Sequence, residues 1–208
     1  MRSSRPPLDI NLHLSILESG LLNGHNWHGA MPSILHRSFQ DKVRMVCSGE
    51  MPADEYLKIA ADIASQELFI VVTHDLCEAE IIRTFPDVIP SISNRGVSDF
   101  IFKCIPFDLK CSGMPKEWTL GKARQDPLDF AKSLYAGADT ERLRKQADKS
   151  INDWALNRFY VIVDDSEAWI REPRAVLEKI VDVCRGLKEP VSFKMAGLRI
   201  ECHLVFIG

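Results

Sequence analysis

Residues 98–112 read SDFIFKCIPFDLKCS. Phe, Ile, Leu and Cys are the residues of a buried sheet, yet Asp99, Asp108 and Lys110 stand among them. A two-residue turn at Lys103-Cys104 makes the segment a hairpin in which Phe102 faces Ile105 and Asp99 faces Asp108. Directly opposed residues project to the same side, with Cβ atoms about 4.5–5.5 Å apart. Lys110 shares that side because strand side chains alternate. One face therefore carries Asp99, Asp108 and Lys110; the other carries Phe100, Phe102, Phe107 and Leu109 and is the expected core face. A register slip of one residue would part the two aspartates.

Two ionised carboxylates that close repel unless a cation lies between them. The bland alternative is a solvated sheet face on which Lys110 pairs with one aspartate. Aspartate is disfavoured in strand interiors, and facing aspartates more so, which favours a divalent-metal site. Hard oxygen ligands with open water positions suit Mg²⁺ or Mn²⁺ rather than zinc. A lysine beside such an ion can orient or help deprotonate an attacking water and stabilise the extra negative charge of a phosphodiester under attack.

The chain around this segment is an ordinary globular one, with 208 residues, 46% hydrophobic and 26% charged, and a single domain is expected. A net charge of −3 excludes nucleic-acid binding by bulk electrostatics. A local basic face is still allowed, since residues 103–149 hold ten Lys or Arg against seven Asp or Glu. The longest unbroken apolar stretch, Leu68 to Val72, is far short of a membrane span, which needs about 20 residues. The first residues do not read as a signal peptide, so a cytoplasmic protein is expected. Six scattered cysteines without a Cys-x-x-Cys pair read as reduced, buried small hydrophobes.

Residues 1–50 are irregular, with a helical DINLHLSILESGLL and a polar NGHNWHG loop. His25 and His28 flank Trp27 there; a loop with an aromatic anchor is favoured over a metal pair, for want of a third ligand. Pro52 and Asp54 start, and Pro86 stops, a helical stretch too long for one comfortable helix, so a break or bend is expected between Ala64 and Val72, where LFIVV is helix or short strand. SNRG, residues 93–96, is a turn. SGMPKEW is a loop after the hairpin, and the residues from Asp126 to Ala155 form one long or two short helices with Asp126 as N-cap and Pro127 in the first helical position. RFYVIVDD is a β-branched strand, EPRAVLEKIVDVCRGL an amphipathic helix ending at Gly186, and VSFKM with LRIECHLVFIG a terminal hairpin turning at Ala196-Gly197. This order gives a mixed α/β sheet protein.

Asp99 followed by Asp108-x-Lys110, on a hairpin preceded by a helix and followed by helix and strand, resembles the PD-(D/E)XK nuclease superfamily. The resemblance covers roughly Asp54 to Asp165. It implies a restriction-endonuclease-like core at 54–165, a central mixed sheet flanked by helices, with a helical N-terminal extension at 1–50 and a C-terminal helix and hairpin at 166–208. It further implies that Asp99, Asp108 and the backbone carbonyl of Leu109 ligate Mg²⁺, with Mn²⁺ as a substitute, and that Lys110 is the catalytic lysine. The residue before Asp99 is Ser98 rather than proline; the literal Pro86-Asp87 also fits the loose spacing but follows a helix stop and has no evident strand partner.

Many members add a glutamate from the preceding helix. Glu78 is preferred because it shares a helix face with Val71, Ile81, Ile82 and Phe85, whereas Glu80 goes with Thr73, Leu76, Arg83 and Thr84. Lys116, Lys122 and Arg124 are candidate DNA phosphate contacts; Arg142, Arg144, Lys145 and Lys149 follow on a helix, and Gln125 and Gln146 are possible by analogy alone. The resemblance implies an Mg²⁺-dependent DNA endonuclease of the type II restriction kind, acting on double-stranded DNA as a homodimer. A catalytically silent DNA-binding protein of the same fold is the alternative, and a phosphohydrolase of a small substrate a third reading.

Overall fold

The computed structural model describes residues 9–19, 45–91, 98–136, 156–195 and 197–208, the side chains of 53 and 55–67 excepted. Its centre is a six-stranded mixed sheet in the order β1-β2-β3-β4-β6-β5. The strands are β1 Val88–Pro90, β2 Phe100–Phe102, β3 Ile105–Gly113, β4 Arg158–Val163, β5 Val191–Met195 and β6 Leu198–Ile207. β3, β4 and β6 are parallel to one another; the two edges are antiparallel. The helices are α1 Ile10–Glu18, α2 Ala53–Thr84, α3 Leu120–Gln125, α4 Pro127–Ala136, α5 Ala168–Arg171 and α6 Pro173–Arg185. Among the described residues no helix is long and apolar enough to cross a membrane.

β4 is central, and its near-continuous apolar run is what burial on both faces requires. Phe159, Val161 and Val163 join the main core with Leu14 and Leu17 of α1, Phe69, Leu76 and Ile81 of α2, and Val176 and Ile180 of α6. Ile162 points the other way, into a cluster with Ala123 and Phe130. Ala131 and Tyr135 of α4 pack beside that cluster against Ile200 and Cys202 of β6. The sheet is thus flanked by helices on both faces. The hairpin's expected core face is buried: Phe100, Phe102, Phe107 and Leu109 all belong to the main core. His203 lies among the rings of Phe102, Phe107 and Phe159, and burial, with Lys103 nearby, holds its imidazole down at about 4.

Local signals place most helix ends. Asp9 caps α1 by accepting from the Leu12 N–H at 3.1 Å, and Asp126 accepts from the Asp129 N–H at 3.0 Å ahead of Pro127. α6 stops at Gly186. Three expectations need correction. α2 is one helix of 32 residues through the stretch where a break was expected. Phe69, Val72, Thr73, Leu76, Cys77 and Ile81 recur at helical spacing and are all buried, so packing against α1, β3 and α6 outweighs the strand preference of Ile70, Val71 and Val72. β3 continues through Ser112 and Gly113, assigned above to a loop, because both pair with β4. Cys47 and Cys104 are exposed and Cys111 half-buried, whereas Cys77, Cys184 and Cys202 are buried as expected. β6 of the C-terminal hairpin inserts into the sheet beside β4. Residues 93–96, the NGHNWHG loop, Ala196 and the helical stretch beyond Ala136 lie outside the described residues.

Asn157 sets the starting register of the parallel strands. Its carbonyl accepts from the Asp108 N–H at 3.2 Å, its side-chain amide donates to the Pro106 carbonyl at 3.3 Å, and its Oδ1 accepts from the Glu201 N–H at 2.9 Å. Truncation to alanine leaves a part-buried donor, the Glu201 N–H, and a part-buried acceptor, the Pro106 carbonyl, without their partner. Asn157→Ala is expected to cost about 2–4 kcal/mol in urea unfolding, well above a surface substitution.

At the β2-β3 turn, Lys103 and Cys104 both adopt positive φ, 49° and 65°, the backbone of a type I′ turn. Lys103 repays the strain by donating from Nζ to the Leu187 carbonyl at 3.1 Å. The exposed Cys104 side chain has no such tie in the described structure. Cys104→Gly is therefore expected to raise stability by about 0.5–1 kcal/mol in the same unfolding measurement.

Candidate active site

The turn sets the register Phe100↔Phe107, Ile101↔Pro106 and Phe102↔Ile105. The ladder ends at Phe100↔Phe107 and does not pair Asp99 with Asp108 as expected: Asp99 turns to His74 of α2 and Asp108 to Arg158 of β4. Asp99 lies just past the ladder: its N–H donates to the Phe107 carbonyl at 2.8 Å and its carbonyl accepts from the Ser91 N–H at 2.8 Å. Its carboxylate reaches beyond Asp108, and Oδ2 accepts from the Leu109 N–H at 2.6 Å. Because the Asp108 N–H serves the β4 ladder, strand alternation turns the Leu109 amide and carbonyl toward the β2 side, where Asp99 stands.

The two aspartates meet different cations. Asp108 Oδ2 lies 2.7 Å from Lys110 Nζ and 3.1 Å from Arg158 Nε. Asp99 Oδ2 lies 3.7 Å from His74 Nε2. Lys110 links the two, since its charge also helps to lower Asp99. Three basic groups thus pair with the two aspartates, and two of them, His74 and Arg158, come from outside the hairpin.

α2 supplies the rest. His74, Asp75 and Glu78 fall on adjoining turns, and one ligand atom from each lies within 4.8 Å of the others. His74 Nδ1 is 3.4 Å from Asp75 Oδ1, and His13 Nε2 of α1 is 3.8 Å from Asp75 Oδ2. Glu80 turns away and is held by Arg83 at 2.5 Å. The face reasoning behind the choice of Glu78 is itself corrected. Val71 is 52% exposed, while Thr73 and Leu76, grouped above with Glu80, are fully buried. Glu78 is half-buried at the border of the sheet-facing stripe, which is why it reaches the site.

Burial alone would lower the imidazole of His74, but hydrogen bonds to Asp75 and Asp99 outweigh it and raise the group to about 11. Burial alone would raise Asp99, and the His74 and Leu109 hydrogen bonds instead hold it below the usual carboxylate range. At neutral pH His74 is an imidazolium. The carboxylates of Asp75 and Glu78 are hard-oxygen donors of the kind that suits Mg²⁺ or Mn²⁺, and Asp99 approaches their group through His74.

The other candidates lie elsewhere. Lys116, Lys122 and Arg124 are exposed. Lys122 sits over the Trp118 ring at 4.4 Å, and Arg124 Nη2 donates to the Phe206 carbonyl at 3.5 Å. Phe206 is level with Ser112 across β4, four residues or about 13 Å along the strand from Asp108. Gln125 is exposed on α3, and Asp87 is exposed in the turn after α2. Arg142, Arg144, Lys145, Gln146, Lys149, His25 and His28 fall outside the described residues.

His74, Asp75 and Arg158 are the site residues that the sequence reading missed. His74 and Glu78 carry a usable signal, the i, i+4 spacing within THDLCEAE. Arg158 has none, because its pairing depends on the Asp108↔Arg158 parallel register. No protein-family model, curated protein or solved structure matches the chain.

The His74 shift has a testable sign. A group raised on folding from 6.5 to about 11 contributes stability that is complete below the unfolded value and is lost as pH rises. In EDTA, unfolding free energy is expected to decline from pH 6.5 toward pH 10. His74→Gln should flatten that decline in the same urea titrations.

Proposed function

We propose that this chain is a metal-dependent endonuclease with a restriction-endonuclease-like core, hydrolysing phosphodiester bonds of double-stranded DNA. The observation that supports the reading is the contact of Asp99 with His74, which itself groups with Asp75 and Glu78 on α2, while Asp108 and Lys110 pair on the following strand.

Asp99, Asp108, Glu78 and the Leu109 carbonyl would hold Mg²⁺, with Mn²⁺ as a substitute. The ion, when bound, supplies Lewis-acid polarisation of the scissile phosphate. The protein's own groups do the rest. Lys110, the most exposed member of the Asp108 ion-pair cluster at 48%, reaches toward the incoming phosphate and stabilises the charge that builds on it. The Leu109 N–H orients Asp99, and the low value of Asp99 keeps it ionised. Lys122 and Arg124 serve as phosphate contacts for a duplex laid along β3. A two-fold homodimer is the simplest form that cuts both strands.

The catalytically silent alternative draws on one observation, that two cations already neutralise Asp108. Plasmid nicking separates the two. Wild-type protein is expected to nick with Mg²⁺ or Mn²⁺ and not with EDTA, and Lys110→Ala or Asp99→Asn to lose at least about 100-fold in rate. Wild-type protein that binds DNA without metal-dependent nicking would establish the silent reading, and nicking unchanged in Lys110→Ala would remove this site from the chemistry.

A further inference from the structure

Asp108 is held by two cations of unlike character. Arg158 is its Cα partner across the parallel β3-β4 ladder, so the sheet itself delivers the guanidinium to the carboxylate. Arg158 Nε lies 3.1 Å from Oδ2, and Nη1 donates to the Asn157 carbonyl at 3.1 Å. Its side chain is only 12% exposed, and its charge reaches Tyr135, Tyr160 and Cys202 on the α4 side of the sheet. Lys110 meets the same oxygen at 2.7 Å but lies at the surface on a flexible stem.

A lysine that must act on a phosphate cannot also be needed to neutralise a mostly buried carboxylate, because leaving that charge unpaired is strongly unfavourable. A guanidinium stays charged at all working pH and is fixed by several donors at once. We infer that Arg158 is a positioning residue: it keeps Oδ2 of Asp108 paired, so that Lys110 can leave the ion pair for the substrate phosphate. This inference rests on the nuclease reading above and adds a residue that the Asp-x-Lys motif does not contain.

Without Arg158, Lys110 becomes the sole described cation on Asp108 and is pinned there. The turnover rate should fall, while metal affinity should not, since one positive charge beside the site has been removed. This split separates positioning from structural support, whose loss would weaken both together. The test measures plasmid nicking under saturating Mn²⁺, Mn²⁺ affinity by calorimetry and the melting temperature for wild-type, Arg158→Met and Arg158→Lys proteins. Expected is a tenfold or greater fall in kcat for Arg158→Met with Mn²⁺ Kd unchanged or tighter, and recovery to within about threefold of wild type in Arg158→Lys. Should Arg158→Met fail to fold, Arg158→Lys decides: kcat within threefold at unchanged Kd supports the inference, and a tenfold loss overturns it. An Arg158→Met protein that nicks like wild type, or that loses Mn²⁺ affinity and melting temperature together, overturns it as well. Wild-type protein that neither binds Mn²⁺ nor nicks DNA overturns the nuclease reading instead, and the inference with it.

Discussion

Asn157 joins three strands at one point. Its carbonyl takes the Asp108 amide, its amide group the Pro106 carbonyl, and its Oδ1 the Glu201 amide. The side chain is nearly inaccessible, so these bonds are shielded from competing water. Since a strand displaced by one residue reverses both of its faces, this asparagine decides on which side of the sheet Asp108 and Arg158 emerge. The ion pair between them is a result of register before it is an attraction between charges.

The hairpin provides the second constraint. A tight turn with two left-handed residues fixes the offset between β2 and β3. That offset leaves Asp99 just outside the ladder, free to send its carboxylate to a backbone amide on one side and to α2 on the other. The site therefore sits where regular pairing gives out, and its groups come from a sheet, a helix and the boundary between them. Its charges are balanced locally: His74 answers Asp75 and Asp99, and Lys110 and Arg158 answer Asp108.

How much of this can be read from the chain depends on the range of the interaction. Phe100, Phe102, Phe107 and Leu109 alternate with polar residues, so the buried face and the pairing of β2 with β3 are legible locally. The β-branched run of β4 and the Pro-to-Gly frame of α6 are equally plain. The stretch at Leu68 to Val72 is not, because five apolar residues satisfy a strand or a buried helix alike, and the choice is made by what α2 packs against. Asp108 and Lys110 can be found from spacing. Arg158, fifty residues on, is tied to Asp108 by a parallel ladder that leaves no periodicity in the sequence. His74 lies between these cases: its spacing to Glu78 is visible, but its charge state follows from Asp99, which only the fold brings near.

The order in which the strands are made has a further consequence. β4 lies between β3 and β6, and its partner on one side, Leu198–Ile207, comes later in the chain than the other strands of the sheet. Such long-range parallel pairing closes slowly, because chain entropy must be lost before any contact rewards it. During synthesis the middle of the sheet thus waits with an open, apolar edge, exposed to association with other chains. Asn157 cannot complete its bonds until Glu201 has emerged, so the arrangement around Asp108 is finished only after β6 is made. A cell making this protein carries an incompletely paired sheet until β6 has emerged, and the demand on chaperones falls on that interval rather than on the folded molecule.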